Sequence, residues 1–454
     1  MSLDKQVLKE YRRSRGLARK KYLCNAPFGN MYFNIHGDAA PCWLGFINPE
    51  SYPERSIREI WDGARFNTFR NNIKKHRLEE TCATCLHNLS NKNYVSVLAR
   101  AYDHLRKPSK YPRMMELELD NTCNLECIMC HGFLSSSIRK NREHKPPLHI
   151  PYDDNFVDQL NEFIPHLQEI RINGGEPFLS PICRKIFENS ARLNSGLKLV
   201  VATNGTVLNP AIEAMLEKGQ FHINISIDSL VKETYETIRV HAVFEKTMAN
   251  FEYFLKYCRR KGTKLCLMVN PMRENWREMP EFVLFCNKHN IPLWFNTIQQ
   301  PEDHSLWALP AENLVEIYET LSANQLKPSV GIPESFHNAR VFHNLVHTQI
   351  YNWLQESKIN KQTIVGTQTN HEQLFYEQIS RVIKRQISSE TSQQDQMLLI
   401  ESKIEELQQT GENPLLAKSD FFKLASQLPA EMVYQELSTK SVAELRLLIE
   451  KFMK

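Results

Sequence analysis

Between residues 112 and 300 the sequence alternates six short apolar segments with five segments whose apolar residues recur at helical spacing. This alternation is typical of βαβ units, in which consecutive strands pair in parallel beneath connecting helices. The predicted strands are MMELELD, LQEIRING, LKLVVATNG, FHINISIDS, TKLCLMVNP and IPLWFNTI. Six strands are too few to close an eight-stranded barrel. We therefore predict an α/β fold, a partial (β/α)6 TIM-like barrel over residues 110–305.

Unusual residues collect where these predicted strands end. The first strand runs into NTCNLECIMCHG, the second into NGGEP and the third into ATNGT, and the fourth carries Ser226 and Asp228. Chemistry in parallel sheets gathers beyond the carboxyl ends of the strands, so we expect one rim to carry them all. Arg239, Asn270 and Arg273 are further candidates on or near this rim, with a plain surface position as the alternative for each arginine.

Three cysteines, Cys123, Cys127 and Cys130, lie within eight positions after the first strand. Structural zinc prefers four ligands, usually as two separated pairs. An iron-sulfur cluster held by only three cysteines keeps one iron free for a substrate or cofactor. The incomplete set therefore indicates catalysis, with structural zinc or coincidence as the alternatives.

These residues resemble the signature of the radical S-adenosylmethionine (radical SAM) enzymes over residues 112 to about 300. The family motif CxxxCxxC matches the three cysteines, although Met129 stands where the family often has an aromatic residue. GGEP at 174–177 resembles the motif after the family's second strand, and SID at 226–228 resembles its ribose-contacting fourth strand. The order and spacing of the three motifs make the resemblance specific.

The resemblance implies a 4Fe-4S cluster on the three cysteines and S-adenosylmethionine bound through its amino and carboxylate groups to the free iron. Gly174, Gly175 and Glu176 are then expected to receive the methionyl ammonium, because glycine permits a close approach. Ser226 and Asp228 are expected to hydrogen-bond the ribose hydroxyls. The full set of expected cofactor-binding residues is Gly174, Gly175, Glu176, Pro177, Thr203, Asn204, Ser226 and Asp228; Asn204-Gly205 is also a common turn dipeptide.

The implied activity is that of an oxidoreductase in which an electron cleaves S-adenosylmethionine to methionine and a 5′-deoxyadenosyl radical, which removes hydrogen from a substrate. The cofactor carries this chemistry, while the protein orients the reactants and excludes water. A mostly apolar barrel interior would suit such a radical. The resemblance also implies an electron donor such as flavodoxin or ferredoxin.

Four further cysteines, Cys24, Cys42, Cys82 and Cys85, precede the predicted barrel. The run MYFNIHGDAAPCW reads as a β-hairpin whose turn is HGDAA, and SIREIWDGARFNTFRNNI has helical spacing. With the CATC pair, these segments resemble the SPASM or twitch domains that hold auxiliary iron-sulfur clusters, here ahead of the barrel. We predict a small α+β domain over residues 22–95 with one auxiliary cluster; structural zinc is the alternative.

The remaining sequence is predicted to be a helical C-terminal region over residues 306–454, rich in glutamine, with ISSETSQQDQ as a polar loop. This tail favours a peptide or protein substrate. Radical oxidation or rearrangement of a small metabolite or sugar stays open, as does an iron-sulfur binding protein without turnover.

Charge and composition limit the partners and the compartment. The net charge is +4, which gives no reason to expect nucleic-acid binding. The basic residues of positions 1–21 read as a solvated helical arm, with a docking patch for an anionic partner as the alternative. No apolar run follows this arm and none approaches a membrane span. Eleven cysteines, an odd number, argue against a disulfide framework, so we expect a cytoplasmic protein without membrane contact.

Overall fold

The computed structural model forms two compact units, residues 1–354 and 355–454. It describes residues 4–15, 22–45, 49–90, 92–94, 97–105, 109–298, 301–357, 375–376, 379–380, 382–383, 390–409, 421–422, 425 and 430–446. The sequence places the start of the helical C-terminal region at 306. The structure instead keeps residues 306 to 354 in the first unit.

One nine-stranded sheet runs through the first unit, in the order β3-β2-β1-β4-β5-β6-β7-β8-β9. The strands are β1 Asn30–Phe33, β2 Asp38–Ala40, β3 Glu50–Ser51, β4 Met114–Glu118, β5 Glu169–Asn173, β6 Lys198–Thr203, β7 Gln220–Ser226, β8 Leu265–Val269 and β9 Leu293–Phe295. Strands β4 to β9 pair in parallel with their sequence neighbours. The predicted α/β fold with six parallel strands is confirmed, and it is consistent with a partial barrel.

The N-terminal strands are part of the same sheet. Strand β1 pairs in parallel with β4, with Tyr32 opposite Glu116. The predicted small α+β domain is therefore continuous with the barrel sheet.

The hairpin of β1 and β2 is present, but its turn differs from the predicted HGDAA. The turn spans residues 34–37, because the Asn34 side chain accepts from the backbone N–H groups of His36 and Asp38. Gly37 has a φ of +94°, a conformation that favours glycine. Ala39 and Ala40 therefore belong to β2 rather than to the turn.

Helices connect the parallel strands and cover one face of the sheet. Those of the first unit are α1 Lys5–Ser14, α2 Ala26–Gly29, α3 Ile57–Asp62, α4 Ala64–Lys74, α5 Ala83–Ser90, α6 Ser136–Asn141, α7 Asp154–Asn161, α8 Pro181–Leu193, α9 Pro210–Lys218, α10 Lys232–Ile238, α11 Phe244–Lys261, α12 Met279–His289, α13 Ala311–Ser322 and α14 Pro333–Asn344. A π-helix, Leu345–Ile350, follows α14. In the described part of the chain, no helix has both the length and the apolarity that crossing a bilayer requires.

Side chains alternate between the two faces of each central strand. On β7, Ile223 and Ile225 are buried in the core under the helices, whereas His222, Asn224 and Ser226 are partly exposed on the other face. We call this second face the inner face of the sheet. The alternation is the period of two that a strand imposes on its side chains.

The inner face is polar, so the expectation of a mostly apolar interior is wrong. Strand β4 places Glu116 and Glu118 there, and β5 places Arg171 and Asn173 in register with them. Burial without a partner would be costly for such groups, and they form contacts with one another. The contacts include the ion pair of Arg171 with Glu169 at 2.5 Å.

One contact fixes the N-terminal part against the barrel, and a second fixes the arm that precedes it. Phe33 and Tyr52 pack their rings against Phe156 of α7, at centroid distances of 5.2 and 5.1 Å. Arg15, which follows α1, is 5% exposed and forms an ion pair with Asp103. The basic segment 1–21 is therefore not simply solvated where it is described, although residues 16–21 lie outside the described residues.

Residues 306 to 354 remain with the barrel because they complete its last strand. Asn338 of α14 accepts from the Leu293 N–H of β9 at 2.8 Å and donates to the Ile291 carbonyl at 3.0 Å. Both groups are buried, and the helix satisfies them where the sheet ends.

The second unit is helical in its described part. It contains α15 Glu390–Gln409 and α16 Ala430–Thr439, and a separate apolar core that includes Phe375, Ile400 and Phe422. The polar loop predicted at ISSETSQQDQ is wrong from Glu390 onward, where α15 begins; the residues before it lie outside the described part. Glutamine and glutamate are good helix formers, so polarity did not imply a loop.

Substitution Phe156→Ala is expected to lower the free energy of unfolding of the first unit by about 3–5 kcal/mol, because it removes a fully buried ring from the contact between the N-terminal part and the barrel. Chemical denaturation followed by tryptophan fluorescence measures the loss. Phe336→Ala is the matched control, because Phe336 is 61% exposed. Equal effects of the two substitutions would contradict the packing described.

Candidate functional site

The three-cysteine loop leaves β4 and is held by the end of α10. The backbone N–H groups of Glu126 and Ile128 donate to the carbonyls of Val240 and Ile238 at 3.1 and 3.0 Å. On the other side, the Asn121 amide donates to the Gly132 carbonyl at 2.8 Å. The loop between strand and helix is thus fixed by contacts that do not involve the cysteine side chains.

The three thiols lie close enough to influence one another. Burial raises the pKa of Cys127 to about 12, and the neighbouring Cys130 and Cys123 add to the increase. Burial also raises the pKa of Cys130 to about 11, again with a contribution from Cys123. Arg239 opposes this increase at both thiols, but one cation does not balance three buried thiolates, and metal coordination supplies further positive charge. The donor set therefore fits an iron-sulfur cluster.

No three His, Cys, Asp or Glu side chains of the described residues are arranged as ligands of one metal ion. The fit of the triplet therefore rests on its spacing and on the mutual electrostatic influence of its thiols.

The GGEP segment packs directly against the cysteine loop. A Cβ on Gly175 would lie 2.5 Å from the Thr122 carbonyl oxygen, and Gly175 has a φ of +45°. The next residue, Glu176, donates its N–H to the same carbonyl at 2.6 Å. The glycine thus permits a close approach of two backbones immediately before Cys123, in addition to any approach by a ligand.

The Glu176 carboxylate is fully buried and joins the GGEP segment to the end of β6. It accepts from the Thr203 hydroxyl at 2.9 Å, from the Asn204 N–H at 2.7 Å and from the Phe178 N–H at 3.1 Å. Burial raises the pKa of Glu176 to about 7, and the three donors oppose that increase. The carboxylate thus joins the segment after β5 to the end of β6, and its predicted contact with an ammonium group stays a prediction.

Thr203 and Asn204 lie at the end of β6, and their tasks differ. Thr203 supports Glu176. The Asn204 side chain donates to Asn124 at 3.0 Å and its amide nitrogen lies 3.9 Å from the sulfur of Cys123. Asn204 therefore belongs to the surroundings of the triplet.

The two remaining predicted motifs divide between the inner face and the interior. Ser226 is partly exposed on the inner face, where a ligand could reach it. Asp228 is 0% exposed: one oxygen lies 2.6 Å from Arg239 and the other accepts from the Asn270 N–H at 2.7 Å. Both Asp228 oxygens thus have protein partners, and its predicted contact with a ribose stays a prediction. Pro177 is buried and lines a cavity of about 130 Å³ on the helix side, with Phe178 and Ile212.

The structure also gives protein partners to the three rim candidates, Arg239, Asn270 and Arg273. Arg239 is 5% exposed rather than a surface arginine, and its pKa is raised because Asp228 and Cys127 outweigh its burial. Asn270 holds Asp228, and Arg273 donates to the carbonyls of Ser305 and Glu302. The ion pair of Arg239 and Asp228 beneath the cysteine loop was missed at the sequence level, where only the apolar neighbours Ile238 and Val240 could have indicated burial.

The four N-terminal cysteines also come together. Burial raises the pKa of Cys24, and Cys42, Cys85 and Cys82 add to it in that order. Burial raises the pKa of Cys42 to about 12, with contributions from Cys82 and Cys85, and the pKa of Cys85 is raised by burial and by Cys82. Every pair among the four thus interacts. Four thiols are the number of protein ligands that one cluster or one zinc ion takes, but in this structure they are not arranged as ligands of a single metal ion.

Substitution Gly175→Ala is expected to remove most of the iron bound at the triplet, because a methyl group there collides with the backbone before Cys123. Gly262→Ala is the matched control: Gly262 also has a positive φ, +69°, but a Cβ there meets nothing within 4 Å. Iron content per chain after anaerobic reconstitution decides the comparison. Equal losses in both variants would show that backbone strain alone is responsible.

Substitution Arg239→Met is expected to cost about 3–5 kcal/mol of folding free energy, because it leaves Asp228 charged and buried without its partner. Arg260→Met is the control, because Arg260 pairs with Glu217 at the exposed surface and such pairs contribute little. Urea denaturation of the two variants measures the difference in their free energies of unfolding. A loss for Arg239→Met no larger than for the control would contradict the buried pair.

Two family models match the segments that carry the two cysteine groups. Residues 117–286 match the model of the Radical SAM superfamily, and residues 24–86 match that of the SPASM iron-sulfur cluster-binding domain. An AdoMet-dependent heme synthase from Methanosarcina barkeri is 32% identical over 152 residues, 32% of this chain and 40% of the relative. A GTP 3',8-cyclase from Chlorobaculum tepidum is 24% identical over 196 residues, 42% of this chain and 56% of the relative. The chain thus matches only about half the length of these curated relatives.

Solved structures with a similar arrangement include native anSMEcpe with bound AdoMet, at 18% identity and a TM-score of 0.37 over 46% of this chain and 59% of that one. Another is Streptococcus suis SuiB bound to S-adenosylmethionine, at 14% identity and a TM-score of 0.35 over 67% and 68%. The two domain matches cover both cysteine groups, in the order the sequence predicts. The chain thus carries a segment that matches the SPASM iron-sulfur cluster-binding domain, followed by a segment that matches the Radical SAM superfamily.

Proposed function

We propose that Cys123, Cys127 and Cys130 hold a 4Fe-4S cluster whose remaining iron binds S-adenosylmethionine, and that the chain is a radical S-adenosylmethionine enzyme. The observation that carries the proposal is the packing of GGEP and the end of β6 around the loop that bears the three interacting thiols. When bound, the cluster and S-adenosylmethionine supply methionine and a radical that abstracts hydrogen.

The chain's own residues would divide the work of binding this cofactor. Gly174 and Gly175 offer backbone groups beside the triplet, and Ser226 offers a hydroxyl on the inner face. Glu176 and Asp228 would support the site from within the protein, because both carboxylates are buried and accept hydrogen bonds from protein groups. Glu176 fixes the glycine turn, and Asp228 fixes Arg239 under the loop.

The inner face supplies polar groups for a substrate below the cofactor. Glu118 is partly exposed there, and its Cβ lies 3.5 Å from where a Cβ on Gly174 would stand. Burial and Lys198 lower the pKa of His222 to about 4, so His222 is neutral at pH 7. Its Nδ1 accepts from the Lys264 N–H at 3.1 Å, which leaves Nε2–H as a donor. A substrate with polar or charged groups suits this surface better than an apolar one.

The substrate we propose is a polar side chain of a peptide or protein. The inner face, with acidic, basic and amide groups in successive layers, supports the polar character, and the second, helical unit offers a separate module for a polypeptide. A small polar metabolite is the second candidate, because the curated relatives are named as a GTP cyclase and a heme synthase.

We further propose that Cys24, Cys42, Cys82 and Cys85 hold an auxiliary iron-sulfur cluster. The support is the interaction among all four thiols and the match of this segment to an iron-sulfur cluster-binding domain. Four protein ligands saturate such a cluster, which suits electron acceptance from the barrel or storage of an electron delivered by a flavodoxin or ferredoxin.

Anaerobically reconstituted protein, reduced in the presence of S-adenosylmethionine, is expected to form 5′-deoxyadenosine. The triple variant Cys123→Ala, Cys127→Ala, Cys130→Ala should form none and should keep the iron of the auxiliary site. Cys183→Ser, which changes a buried cysteine outside both groups, is the control and should retain product formation. Wild-type protein with a full iron content but no 5′-deoxyadenosine would overturn the enzyme proposal, and residual zinc without iron in the triple variant would overturn the auxiliary cluster.

The substrate class can be tested with a fractionated cell extract. A peptide or protein substrate should make the non-dialysable fraction raise the rate of 5′-deoxyadenosine formation, and protease treatment of that fraction should abolish the increase. The triple cysteine variant corrects for background. Stimulation by the dialysable fraction that survives protease treatment would instead support a small metabolite.

A further inference from the structure

The two cysteine groups lie at opposite ends of strand β4. Cys24 and Cys42 pack against an apolar cluster that includes Tyr102 and Met114, the first residue of β4. The triplet follows the other end of the same strand, after Glu118. The inner face of β4 therefore runs from one group to the other.

Glu116 is the polar residue of β4 nearest to the N-terminal cysteines. It is 5% exposed, and one carboxylate oxygen accepts from the Asn30 amide at 2.7 Å and from the Tyr102 hydroxyl at 2.8 Å. The Asn30 amide also donates to the Pro41 carbonyl at 2.9 Å, immediately before Cys42. Burial raises the pKa of Glu116, whereas Arg171 and these two donors favour its ionised form. Glu116 is thus joined to the backbone that carries one of the four cysteines.

The other carboxylate oxygen of Glu116 faces a group of charged side chains near the starts of the barrel strands, which we call the floor network. It lies 4.0 Å from Arg171, which pairs with Glu169, and Glu169 in turn accepts from Lys198 at 2.8 Å. Two carboxylates and two cations make this floor network neutral as a set. A change of charge at Glu116 would therefore leave a net charge in a poorly solvated place close to the cysteines.

We propose that Glu116 is a positioning residue that sets the reduction potential of the auxiliary cluster and so tunes electron exchange between that cluster and the barrel interior. Loss of the Glu116 charge would leave this network with a net positive charge, which favours the addition of an electron nearby, and the potential of an iron-sulfur cluster depends on nearby charge and hydrogen bonds. The inference rests on the proposed auxiliary cluster.

The test measures the midpoint potential of the auxiliary cluster by EPR-monitored redox titration. The triple variant Cys123→Ala, Cys127→Ala, Cys130→Ala serves as background, so that only the auxiliary cluster contributes to the EPR signal. In this background Glu116→Gln should shift the potential upward, because it removes the negative charge while keeping the size of the side chain. Glu116→Asp, which restores the charge, should return the potential toward its original value.

Glu118→Gln is the matched control. Glu118 lies on the same face of the same strand, about 7 Å farther toward the triplet, and its hydrogen-bond partner is Tyr32. It should leave the auxiliary potential unchanged. An unmoved potential in Glu116→Gln, or an equal shift in Glu118→Gln, would overturn the role of Glu116 while the auxiliary cluster stands. Absence of iron from the background variant would instead overturn the cluster itself.

Discussion

Parallel pairing of β1 with β4 is the constraint on which the two-site architecture depends. This pairing makes the cysteine-rich N-terminal part an edge of the barrel sheet, with Tyr32 opposite Glu116. Because the two strands of a parallel pair share a direction and hold a fixed register, the pairing fixes which end of β4 each cysteine group occupies. Aromatic packing around Phe156 then holds the connection from the helix side.

A second consequence concerns the acidic residues of the site. Glu176 and Asp228 are buried, and protein donors or cations occupy their oxygens. They act on the loop geometry around the triplet, so the surface left to a ligand consists of glycine backbone, Asn204, Ser226 and the inner face. Rigid support behind a site of this kind is what holds reacting groups within the small tolerances that catalysis requires.

The sequence predicted the sheet well because its six strands are buried runs between clear helical patterns. It did not predict that β1 joins them, since the local hairpin pattern carries no information about a partner 84 residues away. The polar inner face could have been predicted from the alternation of Glu116 and Glu118 on β4 and of Arg171 and Asn173 on β5. The motifs located the site, but not which carboxylates face inward, because that depends on tertiary partners such as Arg239 and Thr203.

The proposed arrangement has one iron-sulfur cluster at each end of strand β4. Pulsed EPR on reconstituted, reduced wild-type protein tests this arrangement, because dipolar coupling reports the distance between the two paramagnetic centres. We expect two weakly coupled signals, from centres that lie farther apart than the roughly 13 Å that the five residues of β4 span. A single signal from one cluster, or two strongly coupled clusters in contact, would contradict it.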